Sequence, residues 1–76
     1  MLDVIDGFSG DPISLGDNVR SLERGDEVRV VALGEAMSDD GNVEPLVMLE
    51  PRHGAAYRAE VAECDGTWVL VMYSAH

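Results

Sequence analysis

Lysine is absent from this sequence, cysteine occurs once, and no long hydrophobic run interrupts the polar residues. A single cysteine, Cys64, cannot form an intramolecular disulfide, whereas short secreted domains usually carry several cysteines that compensate for a small core. No apolar stretch approaches the roughly 18 residues of a membrane-spanning helix, and Asp3 and Asp6 interrupt the segment where a signal peptide would be apolar. These absences predict a cytoplasmic protein without a membrane segment.

The chain of 76 residues has room for one small acidic domain, residues 1–76, because domains run to about 50 residues or more. A domain near this size buries only about 60% of the surface that its unfolded chain exposes, so it has little space for an enclosed substrate pocket. No cation adjoins Cys64 to activate its thiol, and Ser9 lacks the glycine spacing of a nucleophile elbow. We therefore predict that the protein is not an enzyme and holds no cofactor.

The charge balance is strongly acidic: 15 Asp and Glu residues face 5 arginines, which gives a formal net charge of −10. This charge repels phosphate backbones and disfavours nucleic acid as a partner. The acids are scattered along the chain, which is typical of a solvated face or of a protein from a high-salt cytoplasm, where screening over about 3 Å at 1 M salt suppresses carboxylate repulsion. In composition alone, the chain resembles small acidic proteins of halophilic archaea, and this resemblance implies no functional residue.

Short extended segments dominate the pattern of apolar residues. Residues 1–16 predict a short strand, a turn and a second extended piece, because glycine and proline separate their apolar residues. The β-branched run at 27–33 predicts a strand, and the apolar run at 44–50, which is flanked by prolines, predicts another. The polar residues between these runs, with a glycine among them, predict that residues 34–43 form an exposed and mobile loop.

Residues 17–24 leave two interpretations open. Asp17 could cap a single helical turn that ends at Gly25, and we favour this short helix slightly. Alternatively, residues 18–22 form a strand in which Val19 faces inward.

The C-terminal part of the chain has the pattern of a β-hairpin. Residues 55–63 alternate in polarity, Asp65-Gly66 is a strong signal for a two-residue type I′ turn, and residues 67–73 supply the returning strand. A two-residue turn fixes the register. The predicted cross-strand pairs are Val61 with Leu70, Ala62 with Val69, Glu63 with Trp68, Ala59 with Met72, and Arg58 with Tyr73.

Together these segments predict an all-β domain, or a β-dominated α+β domain with one short helix near 17–24. Four to five short strands joined by tight turns form either a small antiparallel meander or an SH3-like, partly open barrel. Residues 25–30, Gly-Asp-Glu-Val-Arg-Val, resemble the Gly-Asp lead into a strand that many SH3-like barrels use. The resemblance covers six residues and implies no function.

Two groups of residues could bind a metal ion. The loop at 38–44 carries several oxygen ligands, but its acids and glycine depart from the EF-hand spacing, so the sequence leaves open whether it binds a cation. The hairpin register brings His76 close to His53, yet zinc usually needs three or four protein ligands and no third soft ligand lies nearby. We therefore predict no metal site.

One stretch of the chain departs from the acidic average. Residues 51–59 contain no carboxylate, and residues 66–76, on the other arm of the hairpin, contain none either. In a molecule of charge −10, this region would accept an anionic group or a partner's acidic loop. The predicted contact residues are Arg52, His53, Tyr57, Arg58 and Tyr73.

The leading functional hypothesis is a non-enzymatic module that acts through a protein partner or by self-association. It rests on the small size and on the absence of a catalytic constellation. The alternative is a nucleic-acid-associated β-barrel in which two arginines contact phosphates and two tyrosines stack on bases. The residues of this alternative are Arg52, Arg58, Tyr57 and Tyr73.

Overall fold

The computed structural model describes residues 2–75 and shows eight β-strands and no helix among them. The prediction of an all-β domain is therefore confirmed. The strands are more numerous than the four to five expected, because each arm of the C-terminal hairpin divides into two short strands. Their bounds are β1 Val4–Asp6, β2 Asn18–Ser21, β3 Glu27–Met37, β4 Val43–Pro51, β5 Tyr57–Arg58, β6 Val61–Cys64, β7 Thr67–Leu70 and β8 Tyr73–Ser74.

The strands form two open sheets. The larger sheet has five strands in the order β5-β4-β3-β2-β8, all antiparallel, so β2 to β5 make a meander in chain order. The smaller sheet has the order β1-β7-β6, in which β1 runs parallel to β7 and β6 runs antiparallel to it. The long β3–β4 hairpin extends to Met37 and Val43, so it includes residues that the sequence assigned to a loop.

One core lies between the two sheets. Val30, Val47 and Leu49 of the larger sheet are completely buried, and Val4 and Leu70 of the smaller sheet pack into the same cluster. Burying a side chain of this size contributes about 1.5–3 kcal/mol. Both sheets therefore depend on shared contacts for their stability.

The slightly favoured helix at residues 17–24 is wrong, and the alternative strand is present. Val19 and Ser21 are only 1% and 3% exposed, whereas their neighbours in β2 face solvent, which is the two-residue period of a strand. A helix of one or two turns forms too few hydrogen bonds to offset the conformational entropy that its first turn loses. As a strand, the same residues pair with β3 on one side and β8 on the other.

The hairpin turn and the first part of its register are confirmed. Asp65 and Gly66 have the positive φ angles, 52° and 79°, that a type I′ turn requires. The confirmed pairs are Val61 with Leu70, Ala62 with Val69, and Glu63 with Trp68.

The arms still meet where Val71 N donates to Glu60 O at 3.0 Å, but they separate beyond that point. The predicted pairings of Ala59 with Met72 and of Arg58 with Tyr73 are therefore wrong. Met72 takes a left-handed conformation, with φ of 65°, and redirects the chain. Tyr73 then pairs with Ser21 in β2, while Arg58 pairs with Met48 in β4. The arms end at opposite edges of the larger sheet, because each finds a strand partner there.

Candidate functional site

Two of the predicted contact residues meet through their side chains. Tyr57 lies in β5 and Tyr73 in β8, which are the two edge strands of the larger sheet, yet their hydroxyl oxygens are 2.6 Å apart. The sheet is therefore curled until its edges approach each other. A side-chain hydrogen bond links the edges, as expected for a partly open barrel.

Arg24 completes this tyrosine pair, and sequence reasoning missed it. Its Nη2 donates to the Tyr57 hydroxyl at 3.0 Å, its Cζ lies 5.5 Å from the centre of the Tyr57 ring, and its Nε lies 3.4 Å from Asp26 Oδ1. The negative charge of Asp26 is the main reason that the pKa of the Arg24 guanidinium lies above its ordinary value, and Tyr57 is the second. Nothing in the sequence around Arg24 signals this role, because only the pairing of β2 with β8 brings the residue here.

The remaining predicted contact residues lie elsewhere and beside carboxylates. Arg58 Nη2 is 2.8 Å from Glu44 Oε1, an ion pair across neighbouring strands. Arg52 and His53 are exposed and share a surface depression with Asp26 and Glu27. The region that lacks acids along the chain therefore does not lack them in space. The predicted approach of His76 to His53 lies outside the described residues.

The acidic loop at 38–44 uses its polar groups to hold its own turn. The Asp40 carboxylate accepts hydrogen bonds from the Ser38 hydroxyl, from Asn42 N at 3.1 Å and from Asn42 Nδ2 at 2.9 Å. These bonds, above all the one from Ser38, lower the pKa of Asp40. Across residues 2–75, no group of three or more His, Cys, Asp or Glu side chains is arranged to hold a metal ion.

A different feature, an apolar groove, lies between the N-terminal segment and the β3–β4 hairpin. It is open to solvent and encloses about 540 Å³, within the range of about 300–1,000 Å³ that is typical of ligand pockets. Its lining is predominantly apolar and comes from four separate stretches of the chain. The lining residues are Leu2, Asp3, Val4, Pro12, Ile13, Ser14, Leu15, Leu33, Gly34, Pro45, Leu46 and Val47.

Within this apolar groove, Val4, Ile13 and Val47 are buried and belong to the core. Leu15, in contrast, is 65% exposed at the groove wall, so its side chain is accessible to an occupant of the groove. Sequence reasoning missed the groove because its walls are far apart along the chain. The one available signal was Leu15 itself, a leucine between two small residues in a turn-rich segment.

The electrostatic character of the apolar groove is negative. Asp3 is the charged residue of its lining, and Glu35 lies at its rim, where Oε2 accepts a hydrogen bond from Leu2 N at 3.2 Å. No arginine contributes to the lining. Three of the five arginines instead form ion pairs with carboxylates elsewhere, at 3.7 Å for Arg20 with Glu27, 3.4 Å for Arg24 with Asp26 and 2.8 Å for Arg58 with Glu44.

Comparison with known proteins gives no relative: no family model, no curated protein and no solved structure matches the chain. Within the described residues, no helix is long and apolar enough to cross a membrane. Function must therefore be argued from the surface of this molecule.

The tyrosine pair makes stability sensitive to alkaline pH. Burial, reinforced by the hydrogen bond that its hydroxyl shares with Tyr57, raises the pKa of Tyr73 far above its ordinary value of 10.0. The folded protein thus keeps the Tyr73 proton at a pH where the unfolded chain loses it. The stability gained is complete below pH 10.0 and is lost as pH rises from there through the folded-state pKa.

We expect the urea midpoint, followed by Trp68 fluorescence, to be lower at about pH 11 than at about pH 8, and the difference to be smaller in a Tyr73→Phe variant. At neutral pH that variant loses the hydroxyl pair and about 1 kcal/mol of stability. An equal alkaline loss in both proteins would show that Tyr73 does not cause it.

Proposed function

We propose that the protein is a non-enzymatic binding module for a protein partner that carries positive charge. The observation that carries this proposal is the apolar groove, whose lining includes a carboxylate and no cation in a chain of charge −10. Apolar contact supplies affinity in such a groove, and complementary charge supplies orientation and encounter rate. The acidic surface selects against nucleic acid and against other acidic proteins.

Self-association is the weaker form of the same hypothesis. Two copies of this chain bring like charges of −10 together, and neither copy offers an arginine at the groove. Like-charge contact opposes association at low ionic strength. A heterologous, cationic partner avoids this cost.

The nucleic-acid alternative receives no specific support from the contacts. Tyr57 and Tyr73 use their hydroxyls on each other, and Arg58 is engaged by Glu44. Carboxylates also neighbour Arg52. Stacking platforms for bases need accessible aromatic faces beside free cations. Binding to nucleic acid is therefore one of the results that the experiment below can give.

A peptide-binding measurement tests the proposal. The probe is a fluorescein-labelled synthetic peptide of alternating leucine and lysine, about nine residues long, and the matched probe has glutamate in place of lysine. We expect the lysine peptide to bind and the glutamate peptide to bind at least about tenfold more weakly, because like charges oppose association. Fluorescence anisotropy at low and high salt gives both affinities.

Two matched variants locate the binding site in this experiment. Leu15→Ser removes an exposed apolar side chain from the groove wall, and Phe8→Ser removes one that is 73% exposed but does not line the groove. We expect weaker binding of the lysine peptide by the first variant and unchanged binding by the second. Equal binding of both peptides, or binding of a single-stranded oligonucleotide instead, would contradict the proposal.

The high-salt and cytoplasmic settings belong to the same proposal. The acid excess without lysine supports the first, and the single cysteine, Cys64, supports the second. Ten unbalanced negative charges repel one another in the folded state until salt screens them. We therefore expect the melting temperature to rise between about 0.1 M and about 2 M KCl. A variant with Asp39→Asn, Glu23→Gln and Glu63→Gln, all at exposed positions, should gain less. A melting temperature that stays flat or falls would remove the high-salt setting.

A further inference from the structure

We propose that the partner segment binds in an extended conformation as an additional strand on the free edge of β3, with its apolar side chains in the groove. This inference rests on the proposed function, because it takes a cationic protein segment as the occupant. It adds how that segment is held and which residues of this chain hold it.

The first argument is the incomplete pairing of β3. Strand β2 pairs with β3 only from Glu27 to Arg29. The loop before β2 extends this pairing by one residue: Val30 N donates to Asp17 O and Gly16 N donates to Val30 O, both at 2.8 Å. From Ala32 to Met37, β3 has β4 on one side, and no described strand pairs with its other side. An unpaired strand edge is a template for main-chain hydrogen bonding.

The second argument is the direction of the Leu33 main chain. Val47 O accepts a hydrogen bond from Ala59 N, so the polar groups of Val47 point away from β3. Leu33 is the residue opposite Val47. Opposite residues in an antiparallel ladder either bond to each other or both direct their N–H and C=O groups away from each other, and the direction of Val47 shows that this pair is of the second kind. The N–H and C=O of Leu33 therefore point to the unpaired side of β3, beside a groove that Leu33 also lines.

The third argument is the glycine that follows. Gly34 lines the groove in the interior of β3, where glycine weakens a strand. Its φ angle does not lie in the left-handed region that favours glycine, and a Cβ at this position would meet no atom within 4 Å. Neither the backbone nor packing within the chain therefore requires glycine here. Glycine inside a strand often marks a site where a ligand or another backbone approaches closely, and here it leaves that part of the groove open for a bound segment.

The chemistry of the occupant follows from the same surface. A strand presents alternate side chains to opposite faces, so every second residue can enter the groove while the others remain in solvent. The groove takes leucine-like side chains, and Asp3 and Glu35 at its margin accept lysine or arginine from the intervening positions. The partner is thus an extended segment in which apolar and basic residues alternate.

The test compares the leucine–lysine peptide with the same peptide N-methylated at every second amide, which removes the main-chain donors but keeps the side chains. We expect the methylated peptide to bind the wild-type chain roughly tenfold more weakly or worse, because two or more hydrogen bonds are lost. We also expect the Leu33 amide to become protected from hydrogen exchange when the unmodified peptide binds.

A variant of the protein gives an independent readout. Gly34→Val fits the strand backbone without a clash and should fold at least as stably as the parent, but its side chain obstructs the bound segment and weakens binding by about tenfold. Ala62→Val, at an exposed position in β6, is the matched control and should bind normally.

The possible results separate the two proposals. If the leucine–lysine peptide does not bind the parent protein, the proposed function fails. If it binds, but N-methylation, Gly34→Val and the exchange rate of Leu33 show no effect, the function stands and strand addition is overturned. Weaker binding by the methylated peptide and by Gly34→Val, together with protection of Leu33, would support strand addition.

Discussion

Replacing Asp6 by alanine is expected to lower the free energy of unfolding by about 3–5 kcal/mol, one of the largest effects of any single substitution in this chain. Asp6 is 1% exposed at the end of β1. Its carboxylate accepts hydrogen bonds from Phe8 N at 2.9 Å, Ser9 Oγ at 3.1 Å and Ala75 N at 2.9 Å. One side chain thus holds the first turn and ties β1 to the residue that follows β8.

The size of the expected loss follows from what alanine leaves behind. Each buried donor without an acceptor costs about 1–3 kcal/mol, and the total stability of a domain is about 5–15 kcal/mol. Urea unfolding followed by Trp68 fluorescence measures the change. Asp39→Ala, at an exposed position in the acidic loop, is the control and should change stability by less than about 0.5 kcal/mol. A loss below about 1 kcal/mol for Asp6→Ala would show that these bonds do not hold the two sheets together.

Asp6 also shows where sequence reasoning stops. In the sequence it is one of 15 acids, and the pattern around it predicts only a short strand and a turn. Its importance comes from Ala75, which is 69 positions away. No local pattern carries information about a contact at that separation, because the three-dimensional pairing of β1, β7 and β8 has to be known first.

The C-terminal hairpin shows both sides of this limit. Its turn was predictable because Asp65 and Gly66 tolerate the positive φ angles that the turn requires, and a two-residue turn then determines the adjacent pairs. The point where the arms separate was not predictable. Met72 adopts a left-handed conformation that methionine disfavours, and it is held there because Tyr73 pairs with β2.

The candidate site was less predictable than the fold. Tyr57 and Tyr73 were both singled out and do lie together, but Arg24 replaces Arg58 as their cationic neighbour. The groove was missed because hydrophobic periodicity distinguishes the buried face of a strand from its exposed face, and does not show which buried residues border a gap. The exposed Leu15 and the interior Gly34 indicate that gap only once their positions in space are known.

The acidic surface and the apolar groove have different dependences on salt. At molar salt the screening length falls to about 3 Å, so charge complementarity contributes little beyond direct contact. Apolar burial and main-chain hydrogen bonds persist under those conditions. If the proposed setting of high salt holds, the groove and the strand edge would supply the affinity for the proposed partner, and the carboxylates would act only through direct contacts.

Replacing Leu49 by alanine is the other substitution with a large expected effect. Leu49 is completely buried in β4, between Val30 of β3 and Tyr57 of β5. Removing its side chain from the shared core costs the transfer free energy of the lost atoms and leaves a cavity, together about 2–5 kcal/mol. Thermal and urea unfolding should both show this loss.

Leu46 in the same strand provides the matched control for Leu49. It is half-buried and lines the groove, so Leu46→Ala should cost less than about 1.5 kcal/mol of stability but weaken binding of the leucine–lysine peptide. Leu49→Ala should lose stability but bind the peptide normally under conditions where it remains folded, because the Leu49 side chain does not line the groove. Loss of stability and loss of binding should therefore occur in different variants. If the two substitutions affect stability and binding in parallel, the groove is part of the structural core and is not a separate binding surface.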